Sequence, residues 1–281
     1  IAVAHATSPF ITAYPWSGSG FGTKFADPAT LPPDIGTNVG FSPDGSAIAV
    51  THYTAPYVSA YPWSGSGFGT KYANPSTTPV GDSFGVSFSP DGAAIAVAGN
   101  SSPFVTAYPW SGSGFGTKFA NPATLPASDA NGVSFSPDGS AIAVAHAVSP
   151  WVSAYPWSGS GFGSKYSNQS TLPTGVGRGV GFSPDSSAIA VAHTVSPYLT
   201  AYPWSGSGFG TKYANPSTLL PDNGLDVTFS PDGSVIAVAH WTSPRVSAYP
   251  WSGSGFGTKY ANPSTTPTGE GRGVSFTRIA V

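Results

Sequence analysis

The sequence predicts an all-β fold made of six copies of one four-stranded antiparallel unit, and three observations carry this prediction. Phe-Ser-Pro-Asp recurs every 47 residues, so that the 281 residues hold six units. Gly and Pro supply 36 and 29 residues, and an interior proline costs a helix about 3 kcal/mol. The runs between turn clusters are short and rich in β-branched and aromatic residues, as strands are. We therefore expect a six-bladed β-propeller with four antiparallel strands per blade.

Each unit divides into four strands separated by turns. In one copy the strands are expected at 85–88, 94–98, 104–108 and 115–119. The Pro-Asp-Gly sequence at 90–92 forms the first turn, where the aspartate bonds its own backbone. The fourth strand is expected at the outer edge, where Gly and one lysine per unit discourage edge-to-edge pairing. These lysines are Lys24, Lys71, Lys118, Lys165, Lys212 and Lys259.

The phase of the repeat predicts how the ring closes. The repeats start near residues 1, 48, 95, 142, 189 and 236, and residues 1–281 form one domain. The chain begins on a second strand and ends with a first strand at 273–277. We expect this C-terminal strand to complete the N-terminal blade in a 3+1 clasp, which would remove an open sheet edge.

The repeated hairpin sequence carries a family resemblance. Phe-Ser-Pro-Asp-Gly followed by Ser-Ala-Ile-Ala-Val resembles the first-to-second-strand hairpin of WD-repeat-like propellers. It is also similar to bacterial propellers of the periplasmic-translocation and lactonase types. The resemblance covers all six units and implies the propeller fold. The Gly-His dipeptide of WD repeats is absent and Tyr-Pro-Trp replaces their closing Trp-Asp, so that family's hydrogen-bond network does not carry over.

Charge and composition exclude several function classes. The net charge is −2 and no basic stripe is present, so we expect no nucleic-acid partner. No apolar run approaches the ~20 residues of a membrane span. Cysteine is absent, which removes disulfides, thiolate metal sites and cysteine nucleophiles. The sequence starts Ile-Ala-Val, contains no Met and shows no signal peptide, so we expect a processed product or the ordered part of a longer chain.

The recurring titratable residues are interpreted as structural, so we expect no catalytic residue, metal or cofactor. Histidines end most second strands, although Gly99 takes that place in the third unit, and no Asp, Glu or Cys stands at ligand spacing. We expect each histidine to bond a turn carbonyl. The histidines are His5, His52, His146, His193 and His240. The repeated turn aspartates are Asp44, Asp91, Asp138, Asp185 and Asp232.

A tryptophan follows the proline at the end of every third strand. These residues are Trp16, Trp63, Trp110, Trp157, Trp204 and Trp251. Either they pack beneath the Gly-rich turn, or they form a partly exposed platform that stacks on sugars or a partner. The surrounding motif is nearly invariant, and variation collects in the loop before the first strand and near the second turn. Either the duplications are recent, or the constant rim serves a repeated contact.

These features favour a non-enzymatic structural or interaction propeller, located outside the cell or at its surface, that assembles with itself as a scaffold or fibre subunit. The alternative is a multivalent lectin or adhesin. A lactonase-type hydrolase would need converging His, Asp or Glu, and Glu270 is the only glutamate. Asn100 and Asn168 lie in N-glycosylation sequons, and Ser-Thr-Pro-rich loops suit O-glycans. The tail at Arg278, Ile279, Ala280 and Val281 is a candidate assembly strand that adds to the next ring.

Overall fold

The computed structural model describes residues 1–17, 20–267 and 269–276. Across these residues the secondary structure consists of strands and turns, arranged as six small antiparallel sheets. The part of the chain described here contains no helix with the length and apolarity that a membrane crossing requires. The prediction of an all-β fold with six repeated blades is therefore confirmed.

The strands group into blades one to six in chain order. Blade one holds β1 (Ala2–Ala4) and β2 (Ile11–Ala13), and blade two holds β3 (Gly36–Phe41), β4 (Ala47–His52) and β5 (Val58–Pro62). Blade three holds β6 (Ser83–Phe88), β7 (Ala94–Gly99), β8 (Val105–Ser111) and β9 (Gly114–Phe115). Blade four holds β10 (Ala130–Phe135), β11 (Ala141–His146) and β12 (Val152–Pro156). Blade five holds β13 (Gly177–Phe182), β14 (Ala188–His193), β15 (Leu199–Ser205) and β16 (Gly208–Phe209), and blade six holds β17 (Gly224–Phe229), β18 (Val235–His240) and β19 (Val246–Pro250).

The core lies between consecutive blades and follows from the alternation of the second strand. Alanines occupy one face of this strand, and Ile and Val occupy the other. The alanine face of blade three packs on the bulky face of blade four, where Ala96 meets a cluster that includes Ile142 and Val144. A small face against a large face lets neighbouring sheets interdigitate at interior density. Five such clusters join the blades in order, from one and two to five and six.

The fourth strand is shorter than the sequence predicts. It is two residues long in blades three and five, at Gly114–Phe115 and Gly208–Phe209. In the other blades it is a single bridge, such as Trp63 with Phe68. The reason lies in the third strand, where Gly116 N donates to Pro109 O at 2.8 Å. Proline has no N–H to donate back, so the ladder stops there.

The C-terminal segment occupies the place of a sixth inner strand beside blade six. Gly271 N donates to His240 O at 3.2 Å, as Gly36 N donates to His5 O at 3.1 Å between blades two and one. Within the described residues, however, 271–276 forms no strand pairing with Ala2–Ala4. The C-terminal segment of the predicted 3+1 clasp therefore contacts blade six. It forms no hydrogen-bonded ladder with β1 of blade one among the described residues. Both partners lie at chain termini, which few neighbours hold in place.

Candidate functional site

The two ends of the ring differ in how much the blades repeat. The Pro-Asp-Gly turns and the Trp-Ser-Gly turns meet at one end, where Trp63 N donates to Ser46 O at 2.7 Å. We call this end the constant face, because its turn sequences are nearly identical in blades two to six. The loops before the first strands and the second-to-third-strand turns meet at the other end, where Asn100 N donates to Asp82 O at 2.9 Å. This end is the variable face.

The tyrosine of the invariant motif anchors the loop between blades. Tyr61 and Tyr108 are fully buried, and their hydroxyls donate to Thr30 O at 2.8 Å and to Thr77 O at 2.7 Å. Burial raises the pKa of both phenols. Tyr202 and Tyr249 are buried and bonded in the same way, so packing and a satisfied hydroxyl explain this tyrosine in four blades. The buried Tyr155 hydroxyl has no hydrogen-bond partner among the described residues.

Most of the tryptophan ring is interior. Trp110 is 7% exposed, and Trp157, Trp204 and Trp251 are equally buried. The indole of Trp110 makes edge contacts with Tyr72, Phe88 and Phe115, with ring centroids 5.1–5.2 Å apart. Tyr72 belongs to the preceding blade, so the indole joins two sheets. A platform of six exposed rings is therefore not what the described residues form, and the packing interpretation describes these four tryptophans.

Blade one is the exception, because no buried cluster of the described residues covers its bulky face. Val3 is 44% exposed, whereas Val50 at the same place in blade two is 0% exposed. Trp16 is 44% exposed and contacts only Phe21 among the aromatic rings of the described residues, at 5.2 Å. Phe21 is itself 66% exposed. A contiguous apolar surface therefore faces outwards on this blade.

Blade six presents the matching surface. Val246 and Ala248 are partly exposed, whereas their counterparts Val58 and Ala60 are buried in the cluster between blades two and three. Tyr260 is 49% exposed, although its counterparts in earlier blades contact the tryptophan of the next blade. Among the described residues, no buried cluster joins blade six to blade one. We call these two surfaces the seam.

Four of the five histidines are buried, and the Nε2 of each bonds a Ser or Thr hydroxyl of its own blade. His5 is only partly buried. His52 Nδ1 donates to Thr54 O at 2.7 Å, so its Nε2 accepts from the Ser59 hydroxyl at 3.1 Å. This geometry confirms the turn-carbonyl interpretation for His52. Burial lowers the pKa of His52 to about 4, which keeps the ring neutral. The described residues include no group of three His, Asp or Glu side chains that would hold a metal ion.

The turn aspartates close their own hairpins. Asp138 Oδ1 accepts from Ser136 Oγ at 2.6 Å and from Ser140 N at 3.0 Å. The hydrogen bonds outweigh desolvation and lower the pKa of Asp138. Two neighbouring turns also form one wall of a groove of about 380 Å³ on the constant face, with Asp185, Asp232 and Ser252 in its lining.

The remaining candidate residues lie apart from one another. Asn168 is exposed and its Oδ1 accepts from Lys165 Nζ. Asn100 is half-buried, and its Nδ2 donates to Asp82 Oδ2 at 3.1 Å. Of the two sequons, only Asn168 therefore offers a free amide nitrogen on an open surface. The candidate assembly strand at 278–281 lies outside the described residues.

Sequence reasoning missed a ring of side chains on the propeller axis. Arg178, Asn131 and Asp226 line one cavity with residues of the other inner strands. The only sequence signal was that these positions differ between units in which most others agree.

Comparison with known proteins supports the fold and leaves the family open. No protein-family model matches the chain, and no curated protein matches it. Its structure is similar to that of Kuenenia stuttgartiensis hydrazine synthase, with a TM-score of 0.59 and 17% sequence identity. The match covers 76% of this chain and 62% of that one, so the chain spans less than two thirds of the other protein. Because 1217 chains of solved structures match, the likeness concerns the fold and selects no function.

Proposed function

We propose that this protein is a non-enzymatic structural propeller, outside the cell or at its surface, that assembles head to tail with copies of itself through the seam. The observation that carries the proposal is a pair of apolar faces, on blades one and six, that no buried cluster of the described residues joins. Each face carries the residues that already pack together at the five internal boundaries.

The chemistry of the seam favours a second copy of this chain as the occupant. The bulky face of blade one fits an alanine face with an aromatic ring beside it, and blade six carries that combination at Ala248 and Tyr260. The two faces differ, so pairing between copies would be heterologous and would extend into a chain or fibre. The residues named at the seam are uncharged, which suits a contact that excludes water. They are Val3, Trp16, Ala248 and Tyr260.

The experiment uses engineered cysteines, because the chain has none of its own. Val3→Cys and Ala248→Cys are introduced together, and the oxidised protein is run on a non-reducing gel. We expect a ladder of covalent oligomers. A single fast-migrating monomer would mean that the ring closes on itself, which would overturn the proposal.

A matched internal pair controls for misfolding and for random oxidation. Val97→Cys with Ala60→Cys places the same two positions at the boundary of blades two and three, where both side chains are already buried in one cluster. This variant should give an intramolecular disulfide and no ladder. Electron microscopy of the unmodified protein should show filaments, and Val3→Asp should remove them.

Carbohydrate binding is the second candidate, and the groove on the constant face favours it. Carboxylates and hydroxyls in its lining, at Asp185, Asp232 and Ser252, suit sugar hydroxyls. Trp251 is also among the residues that line the groove. A glycan array tests this candidate, and loss of binding in Asp232→Ala with retention in Asp82→Ala would support it. A blank array would count against it.

A further inference from the structure

A polar cavity lies on the axis, where the inner segments of the propeller meet. Its volume is about 280 Å³, and it is lined by residues of β3, β6, β10, β13, β17 and of 272–275. This size is near the lower limit for pockets that hold small molecules. The cavity shares no residue with the seam, so a ligand bound there would not depend on self-assembly.

A repeated backbone irregularity supplies the residues of this cavity. The pairing between the first and second strands skips one residue at the same place in blades two to six, as between Gly177 and Gly179. A bulge of this kind leaves a residue unpaired and re-aims its side chain, often beside a functional site. The skipped residues, with their equivalent in the C-terminal segment, are Thr37, Phe84, Asn131, Arg178, Leu225 and Arg272.

The residue types at these six positions differ between units, unlike those of the repeated motifs. Five different residue types occupy the six bulge-equivalent places, whereas Tyr-Pro-Trp is identical in all six units. The next position is Gly in four units, and there the inner strands approach closely: a Cβ at Gly132 would lie 2.8 Å from Arg178 O. In a repeated ring, one asymmetric ligand site has to be built from the places where the units differ.

Arg178 supplies an unpaired guanidinium at this site. Its side chain is exposed to the cavity and makes no ion pair with any described residue. Its Nη1 lies 3.5 Å from Asn131 Oδ1, at the outer limit of a hydrogen bond. Asn131 is held in turn, because its Nδ2 donates to Gly177 O at 2.8 Å. A guanidinium fork matches a carboxylate with two parallel hydrogen bonds, whereas Arg272 already pairs with Glu270 at 2.8 Å.

Asp226 places a carboxylate on the adjacent blade. It is enclosed by protein, although part of its surface faces the cavity. Its two oxygens accept from Val227 N at 2.9 Å and from Val274 N at 3.0 Å. Burial raises the pKa of Asp226 to about 6, so the group is ionised above that pH. A carboxylate here repels a multiply charged anion and attracts a hydrogen-bond donor.

We propose that the axial cavity binds a small monocarboxylate with a hydroxyl or ammonium group beside the carboxylate, which is the chemistry of α-hydroxy and α-amino acids. The ligand carboxylate pairs with Arg178, and the neighbouring donor faces Asp226.

NMR titration of the full chain with lactate, L-alanine, propionate and inorganic phosphate tests the proposal. Lactate and L-alanine should bind at millimolar concentrations, and propionate, which lacks the donor, should bind about tenfold more weakly. Absence of binding by lactate and L-alanine would overturn the proposal. Tighter binding of phosphate than of lactate would overturn it as well, because it would reveal a general anion site.

Two substitutions distinguish the role of Arg178 from that of Asp226. Each introduces a residue that another blade already has at or beside the equivalent position. Arg178→Leu copies Leu225 and should weaken lactate at least tenfold. Asp226→Asn copies Asn38 and should remove the preference for lactate over propionate while retaining carboxylate binding. Lys118→Gln, outside the cavity, should leave all affinities unchanged. Lactate binding that survives Arg178→Leu, or a lactate preference that survives Asp226→Asn, would contradict the assignment.

Discussion

The ring of Phe25 stands perpendicular to the indole of Trp63 across the boundary between blades one and two, with the ring centroids 5.1 Å apart. Four further boundaries repeat the contact with Tyr or Phe from the earlier blade, as in Tyr72 with Trp110. An edge-to-face pair of this kind adds roughly 0.5–1.5 kcal/mol beyond its buried area. The aromatic ring is therefore part of what holds consecutive sheets together.

Replacing a buried tryptophan should destabilise the fold far more than replacing the exposed one. Trp110→Ala leaves a cavity between two sheets, and we expect it to lower the free energy of unfolding by about 3–5 kcal/mol. Trp16→Ala should cost less than about 1 kcal/mol, because that ring is already largely in solvent. Urea unfolding of both variants measures the difference. Equal losses would contradict the packing role.

Acid should destabilise the fold through its buried histidines. Burial lowers the pKa of His146 and of His193 from 6.5 to about 4. The unfolded chain takes up these protons near pH 6.5 and the folded chain only near pH 4. Their stabilisation is therefore complete above pH 6.5 and falls by about 3 kcal/mol per histidine as the pH drops to 4. Asp226 acts in the opposite sense, because its raised pKa favours the folded state as the pH falls below about 6.

Unfolding free energies at pH 7 and pH 4.5 test this pH dependence. The double variant His146→Asn and His193→Asn should show a clearly smaller drop than the unmodified chain. An unchanged drop would show that other groups carry the acid sensitivity.

Removing a turn aspartate should cost a modest amount of stability. Asp91 Oδ1 accepts from Ser89 Oγ at 2.5 Å and from Ala93 N at 3.0 Å, and these bonds lower its pKa. Asp91→Ala should lower the free energy of unfolding by about 1 kcal/mol. Asp129→Ala, in an exposed loop, should leave the thermal midpoint unchanged. A similar shift in both variants would point to net charge as the cause.

The glycine at the equivalent turn of blade four should resist substitution for a conformational reason. Gly139 has φ +72°, which an L side chain adopts at a cost of about 1 kcal/mol. Gly139→Ala should therefore destabilise by about that amount in thermal unfolding. Gly112 lies outside this φ range with open space at its Cβ position, so Gly112→Ala should be neutral. A neutral Gly139→Ala would show that the turn relaxes.

The period and the turn residues of the sequence were enough to predict six antiparallel blades, because each unit repeats the same local chemistry. The same reasoning assigned His52 to a turn carbonyl, since a strand-end imidazole has a carbonyl within reach. The fourth strand was predicted too long, although Pro109 already showed that the ladder could not continue. Local propensity at 115–119 favoured a strand, and the missing donor limited it to two residues.

The burial of the tryptophans could not be decided from one unit. The ring that covers Trp110 belongs to Tyr72, 38 positions earlier and in another blade. The side chains that line the axial cavity could not be predicted from the sequence for a related reason. The alternation of residues along a strand does not reveal which residue a bulge leaves unpaired. Arg178 and Asp226 meet at one cavity only after six inner segments surround the axis.

The contrast between the two ends of the ring has a geometric consequence. A partner that contacts the constant face meets nearly the same surface on each of blades two to six. Contact there fixes the direction of the axis and permits several equivalent rotational settings. On the variable face, the loops before the first strands differ from blade to blade, so the rotational settings there are not equivalent. The constant face therefore suits attachment of a partner in several rotational settings, and the variable face suits selection of one setting.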